Sequence, residues 1–138
     1  MHTPVTILIL AAGLGTRMKS RRAKVLHQAG GRPLIERVAE TALEVASPSD
    51  VFVVVGRQAE QVRAALEGRG VGFIHQAEQG GTGHAVMVCR EQLAARPGLL
   101  AVLYGDCPLL AAATVRELVA RQAASSAAAT VITKKTNN

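Results

Sequence analysis

The chain has 138 residues, of which 49% are apolar, 19% charged and 2% aromatic. This length and composition exclude a disordered chain and favour one compact domain. The formal charge of +6 indicates an anionic partner. Because single-strand nucleic-acid binders use aromatic stacking platforms, and Phe52, Phe73 and Tyr104 are the only aromatics, we expect a small polyphosphate and no nucleic acid. Phe52 and Phe73 lie in apolar runs, where core packing is expected.

The two cysteines and the amino-terminal segment indicate the compartment. Cys89 and Cys107 have neither CxxC nor Cys/His ligand spacing, which favours free thiols in a reducing environment. The first apolar run, Val5–Leu10, has six residues, too few for a signal-peptide core or a membrane span. We therefore expect a cytoplasmic protein without a membrane span.

Strand-like and helix-like segments alternate along the whole chain. Strands are predicted at 5–10, 51–56, 71–75, 99–105 and 129–133, and helices at 33–46, 58–66, 82–95 and 111–124. Pro33 suits the first turn of its helix, and Thr82 suits an N-cap. The alternation predicts an α/β fold with a doubly wound, mostly parallel sheet. Ligands bind such sheets at the carboxyl ends of strands, near the point where strand order reverses.

The loop "AAGLGTR" follows the first predicted strand and combines small residues with positive charge. Ala11, Ala12, Gly13 and Gly15 would let a ligand lie against backbone N–H groups, which can form an anion nest. Arg17 and Lys24 could then bind phosphate oxygens. A plain strand-to-helix turn is the alternative for the glycines, and a solvated face is the reading for the cations Lys19, Arg21 and Arg22.

The segment "HQAEQGGTGHA" follows the third predicted strand. Gln76 and Gln79 flank glycines there, and a glutamine amide both donates and accepts, so it can read the edge of a base such as uracil. The alternative is a flexible loop that begins the helix at Thr82. His84 has no partner evident in the sequence, so we assign it to structure.

The segment "YGDCP" ends the fourth predicted strand with one carboxylate, Asp106. At a ligand site it would suit Mg²⁺, which would bridge it to phosphate oxygens. A helix N-cap or a turn is the alternative role for this aspartate. Cys107 is expected to be a packed small residue.

These motifs together resemble a known family. "LAAGLGTRM" with "AKVLH" is similar to the signature of the sugar-nucleotide pyrophosphorylases, a nucleoside-triphosphate transferase family. "QAEQGGTGHA" and "LYGDCPLL" resemble its uridylyltransferase branch, whose bifunctional bacterial members make UDP-N-acetylglucosamine. The resemblance implies a Rossmann-like nucleotidyltransferase fold, incomplete at the C-terminal side, and uridylyl transfer from UTP to N-acetylglucosamine 1-phosphate for cell-envelope synthesis.

The resemblance also implies roles for individual residues. Arg17 and Lys24 would be the catalytic cations, and Asp106 would hold the Mg²⁺. The implied nucleotide site consists of Leu10, Ala11, Ala12, Gly13, Gly15, Thr16, Lys24, Gln76, Gln79, Gly81 and Thr82. Two positions depart from the family pattern: Ala23 replaces a proline, and Gly80 replaces a bulkier residue.

The family's catalytic domain is longer than this chain. Residues 1–138 would be its amino-terminal, nucleotide-binding part, and the sugar site and a second metal ligand, an asparagine, would lie beyond Asn138. Bifunctional members add a β-helix that acetylates glucosamine 1-phosphate with acetyl-CoA, and the full-length protein would be a homotrimer. By itself the fragment is expected to be inactive or weakly active.

Three other functions remain to be compared. One is a guanylyl- or cytidylyltransferase, and another is a nucleotide-sensing module without catalysis. A dinucleotide oxidoreductase is disfavoured, because Met18 stands where GxGxxG needs its third glycine, and "GRQ" ends the second strand without an acidic residue.

Overall fold

A computed structural model of the chain describes residues 3–13, 24–78 and 80–133. Six strands lie in these residues. The main sheet contains β1 (Val5–Leu10), β4 (Val51–Val55), β5 (Gly72–His75) and β6 (Leu99–Tyr104), and a small hairpin contains β2 (Gln28–Ala29) and β3 (Arg32–Pro33). The main sheet is parallel throughout, in the order β5-β4-β1-β6. This confirms the predicted α/β fold.

Helices connect the parallel strands, as a parallel sheet requires. They are α1 (Leu34–Val45), α2 (Ala59–Ala65), α3 (Gly81–Met87), α4 (Arg90–Leu93) and α5 (Ala112–Ala124), with 3-10 turns at Lys24–Leu26 and Pro48–Asp50. In the described part of the chain, no helix is long and apolar enough to cross a membrane.

The sheet is covered on both faces at β1 and β4, whose strands are apolar on both faces, whereas Leu100, Val102 and Tyr104 of β6 are exposed on the second face. On one face, Ile7, Ile9 and Val53 pack in a cluster with Ile35 and Val38 of α1. That cluster also contains residues of α2 and α5. On the other face, residues of β1, β4 and β5 pack against α3 and the turn after it, namely Leu8, Val54, Ile74, Ala85 and Cys89. As expected, Phe52 and Phe73 pack against these two clusters.

The segment 129–133 is not a strand, so that prediction was wrong. The side-chain amide of Gln122, in the last turns of α5, donates to the carbonyl of Ala127 at 2.7 Å and accepts from the hydroxyl of Thr130. These local bonds hold the chain beside the end of α5, and such bonds compete with a strand ladder. Val131 and Ile132 are exposed.

The predicted helix 82–95 is two helices. The thiol of Cys89 donates to the carbonyl of Ala85 at 3.3 Å. The backbone N–H of Cys89 donates to the carbonyl of Val86 and not to that of Ala85, its α-helical partner. The α-helical ladder is therefore interrupted at this residue. Both predicted helix starts also shift, because Gly80 rather than Thr82 is the N-cap of α3, and Pro33 is the N-cap of α1.

The hairpin of β2 and β3 was not predicted. Gly30 and Gly31 have φ of 62° and 79°, the positive values that a two-residue hairpin loop requires. Arg37 on α1 donates to the carbonyl of Ala29 at 2.9 Å. The hairpin is thereby fastened to α1.

An ion-pair network joins the hairpin, α1 and the segment after α2. Glu36 accepts hydrogen bonds from Arg32 and Arg69, each at 2.8 Å, and Arg32 also pairs with Glu40. The hydrogen bond from Arg32, together with the charges of Arg32 and Arg69, lowers the pKa of Glu36 below its usual value of 4.5.

We expect Glu36→Gln to lower the free energy of unfolding near neutral pH and to lose that effect in acid. A carboxyl group whose folded-state pKa is lowered stabilises fully above its unfolded-state pKa, and the contribution disappears as pH falls through the folded-state value. Urea unfolding at about pH 7 and about pH 2.5 measures both limits. As a control, Glu117→Gln removes a single exposed pair with Arg121 and should change little. An equal deficit for Glu36→Gln at both pH values would contradict the prediction.

Candidate functional site

The carboxyl ends of the parallel strands lie along one edge of the sheet. β1 is central, and its last residue, Leu10, is in register with Val54 on one side and with Tyr104 on the other. The chain builds outward from β1 to β4 and β5, then crosses back to place β6 on the free side of β1. Strand order therefore reverses between β1 and β6, which is where ligands bind in open α/β sheets.

The loop after β1 begins as buried backbone and then reaches solvent. Ala11 and Ala12 are buried, and the N–H of Ala11 donates to the carbonyl of Val54 at 2.9 Å. Gly13 is exposed, and a Cβ added there would have no atom within 4 Å. The structure thus leaves bare backbone at the reversal point. Gly15, Thr16 and Arg17 lie outside the described residues, as do Lys19, Arg21 and Arg22, and their roles stay predictions.

Lys24 and Asp106 form an ion pair beside this loop. Lys24 Nζ lies 3.0 Å from Asp106 Oδ2, and both side chains are partly exposed. Buried Val25 and Leu26, which follow Lys24 in its 3-10 turn, anchor it to the core. Gly105, just before Asp106, donates its N–H to the carbonyl of Leu10 at 2.9 Å. The acid is therefore fixed to the end of β1.

Cys107 is exposed, so its predicted packing was wrong. Its thiol faces Asp106, with Sγ 3.6 Å from Oδ1. Desolvation raises the pKa of Cys107, and the negative charge of Asp106 raises it further. The thiol therefore stays protonated near neutral pH, and it can donate to the carboxylate.

Gln76 lies at the end of β5 and is 3% exposed. Its backbone N–H donates to the carbonyl of Val55 at 2.8 Å, and its side-chain Nε2 lies 2.8 Å from Nδ1 of His84. His84, which the sequence assigned to structure, therefore has a partner that was not evident in the sequence. Gln76 and His84 are eight residues apart with a loop between them. Because this separation matches neither a helical nor a strand period, no sequence pattern indicates the pair.

Helix α3 begins at Gly81, shortly after Gln76 in the chain. Gly81 has φ +87°, and a Cβ added there would have no atom within 4 Å. Gly81 and Thr82 are exposed. Gln79 is outside the described residues, so its predicted contact with a base stays a prediction.

The fit to a metal ion depends on the donors at Asp106. In the residues that the structure describes, no three His, Cys, Asp or Glu side chains cluster as a metal cage. One carboxylate is nevertheless compatible with Mg²⁺, because this ion keeps several waters and takes phosphate oxygens as ligands. Asp106 fits a metal that arrives with a nucleotide, and Lys24 Nζ lies 3.0 Å from the same carboxylate.

A parallel sheet with bare backbone at its reversal point, flanked by a lysine and an acid, defines the class of α/β nucleotide-binding proteins. The model of the MobA-like NTP transferase domain matches residues 7–138. The chain belongs to this family.

Curated relatives refine the class. The chain is 58% identical over 132 residues to the bifunctional protein GlmU of Solibacter usitatus, covering 96% of this chain and 28% of the relative. It is 46% identical to GlmU of a Nostoc species, covering 97% of this chain and 30% of the relative. The chain is thus a nucleotidyltransferase domain of the GlmU type, and it spans less than a third of these relatives.

Solved structures agree on the fold. A nucleotidyl transferase from Methanothermobacter superposes with a TM-score of 0.70 at 24% identity, covering 84% of this chain and 56% of that one. CMP:2-keto-3-deoxy-manno-octonic acid synthetase, complexed with CTP, superposes with a TM-score of 0.67 at 27% identity, covering 89% of this chain and 48% of that one.

Proposed function

We propose that the chain is the nucleotide-binding part of an enzyme that transfers a uridylyl group from UTP to N-acetylglucosamine 1-phosphate and releases pyrophosphate. The observation that carries the reaction class is the pairing of Lys24 with Asp106 beside the exposed backbone at Gly13. The resemblance to uridylyltransferases and the 58% identity to a GlmU protein support the choice of UTP and sugar.

The reaction needs alignment and charge neutralisation more than a protein nucleophile. A sugar 1-phosphate oxygen attacks the α-phosphorus, the bond to the β-phosphate oxygen breaks, and pyrophosphate leaves with that electron pair. Backbone N–H groups of the β1 loop would hold phosphate oxygens, and the Lys24 ammonium would offset the charge that builds up on the leaving group. Ala11, Ala12 and Gly13 admit the nucleotide because they present little side chain.

The remaining contacts are proposed for the base and the metal. Gln76, Gln79, Gly81 and Thr82 would surround uracil and its ribose, and Leu10 would contribute its backbone. Asp106 would hold Mg²⁺, which neutralises phosphate charge when bound. Lys24, whose ammonium lies 3.0 Å from Asp106, would place a positive charge beside the phosphates.

The proposal is tested by measuring pyrophosphate release from UTP, CTP and GTP with N-acetylglucosamine 1-phosphate in the full-length protein. Preference for UTP supports it. CTP is the specific rival, because a structural neighbour at 27% identity is a synthetase complexed with CTP. Preference for CTP or GTP would overturn the choice of base, and tight UTP binding without turnover would favour a nucleotide sensor.

For Arg17→Ala we expect kcat to fall by about 10²-fold, with KM for UTP changing much less. Charge on the phosphates is larger in the transition state than in the bound substrate, so a lost cation weakens the transition state more. Steady-state kinetics with varied UTP separate the two constants. Arg121→Ala, a change of an exposed arginine on α5 whose ion-pair partner is Glu117, is the control. A raised KM with unchanged kcat would contradict this role.

Further properties belong to the full-length protein. We propose a homotrimer in which another domain acetylates glucosamine 1-phosphate with acetyl-CoA, since the curated relatives are named bifunctional proteins. The described cysteines are both free, which supports a reducing cytoplasm as its location.

A further inference from the structure

We propose that His84 orients the side-chain amide of Gln76 and thereby sets the preference for uracil over cytosine, and that Gly80 makes room for the imidazole ring. The inference rests on the proposed function, because it names the residues that choose the base at that same site. His84 would act as a positioning residue, through Gln76.

The backbone of Gln76 is fixed, so the main remaining motion of its side-chain amide is rotation about the terminal torsion. The residue is 3% exposed, and its N–H donates to Val55 at the end of β4. A buried amide must hydrogen-bond, and rotation of its terminal torsion exchanges the donor and the acceptor. The direction of this amide therefore decides what a ligand meets.

His84 selects one direction. The amide nitrogen of Gln76 lies 2.8 Å from Nδ1 of His84. Because an amide nitrogen only donates, this contact requires the ring tautomer in which Nδ1 accepts and Nε2 carries the proton, and the proposal includes that tautomer. A rotated amide would point its oxygen at the same lone pair, which is repulsive unless the ring proton moves. The carbonyl oxygen and the second N–H of Gln76 are then left for a base.

Uracil and cytosine require opposite directions. Uracil donates from N3 and accepts at O4, whereas cytosine accepts at N3 and donates from its amino group. A fixed amide can place its oxygen opposite N3–H of uracil, and the same oxygen repels N3 of cytosine. A site built to hydrogen-bond one pattern rejects the other because its polar groups are left unpaired.

The need for glycine at position 80 comes from the nearby imidazole ring of His84 and not from the backbone conformation of Gly80. Its φ of −104° and ψ of 12° suit any residue. An added Cβ, however, would lie 2.4 Å from Cγ and 2.6 Å from Nδ1 of His84. A side chain at position 80 must therefore displace the imidazole, so the glycine that departs from the family pattern is what allows the contact between His84 and Gln76.

The test compares kcat/KM for UTP and for CTP in the full-length protein. His84→Leu removes the acceptor, and Gly80→Ala displaces the ring. In both variants we expect the UTP to CTP ratio to fall by about tenfold, the factor of one hydrogen bond. His84→Asn, whose side-chain oxygen can accept near the position of Nδ1, should restore most of the ratio. Gly83→Ala is the matched control, because its added Cβ meets no atom within 4 Å.

A second readout is independent of activity. The ¹⁵N and ¹H resonances of the Gln76 side-chain amide report the hydrogen bond, and they should shift in both His84→Leu and Gly80→Ala. The His84 ring resonances report the tautomer, and they should shift in Gly80→Ala. Neither set should shift comparably in Gly83→Ala. If the wild type prefers UTP and both variants keep its ratio, or lose activity equally on both bases, the positioning role is overturned while the proposed function stands. If the wild type prefers CTP or uses neither base, the proposed function fails, and this inference fails with it.

Discussion

Asp106→Ala should reduce Mg²⁺-dependent pyrophosphate release by about 10³-fold in the full-length protein. Asp106 is the carboxylate at the reversal point of the sheet, held there by the bond from Gly105 to Leu10 at 2.9 Å. Alanine removes the proposed metal ligand and leaves the strand end unchanged. A continuous assay of pyrophosphate, with Mg²⁺ varied, measures the loss.

Asp50→Ala is the matched control for that variant. Asp50 is also a partly exposed aspartate with a basic partner, Arg96, at 2.7 Å. It precedes β4, so it lies at the amino-terminal edge of the sheet, away from the proposed site. We expect its turnover to stay within about twofold, because a surface ion pair contributes little. Near-normal turnover in Asp106→Ala would contradict the metal assignment.

Lys24→Gln should change turnover and metal binding in opposite directions. Turnover should fall by about 10²-fold, because a cation that offsets phosphate charge is lost. Mg²⁺ should bind about two- to fivefold more tightly, because the ammonium 3.0 Å from Asp106 no longer competes for the carboxylate. Isothermal titration with Mg²⁺ in the presence of UTP, and without the sugar 1-phosphate, measures the second effect without any turnover.

Lys24→Arg keeps the charge and is the control for Lys24→Gln. Its Mg²⁺ affinity should remain near that of the wild type, since a guanidinium also pairs with a carboxylate. Weaker Mg²⁺ binding in Lys24→Gln would show that the lysine does not compete with the ion at Asp106. Unchanged turnover would remove Lys24 from the proposed catalytic residues.

Local sequence patterns were sufficient for most of the fold. The apolar runs that became β1, β4, β5 and β6 are buried on one or both faces, and such runs need no long-range information to be recognised. The segment 129–133 has the same local pattern, yet it is not a strand. A strand depends on a partner ladder, and the bonds from Gln122 decide the conformation of this segment instead.

The sequence by itself determined which chemical groups follow each strand: bare backbone after β1, an amide after β5 and one carboxylate after β6. Tertiary structure alone decided which groups meet. Lys24 and Asp106 are 3.0 Å apart across 82 positions of chain, and Gln76 reaches His84 only because Gly80 leaves space for the ring. Such pairs depend on how strands are ordered and how side chains exclude one another, and neither property has a period along the chain.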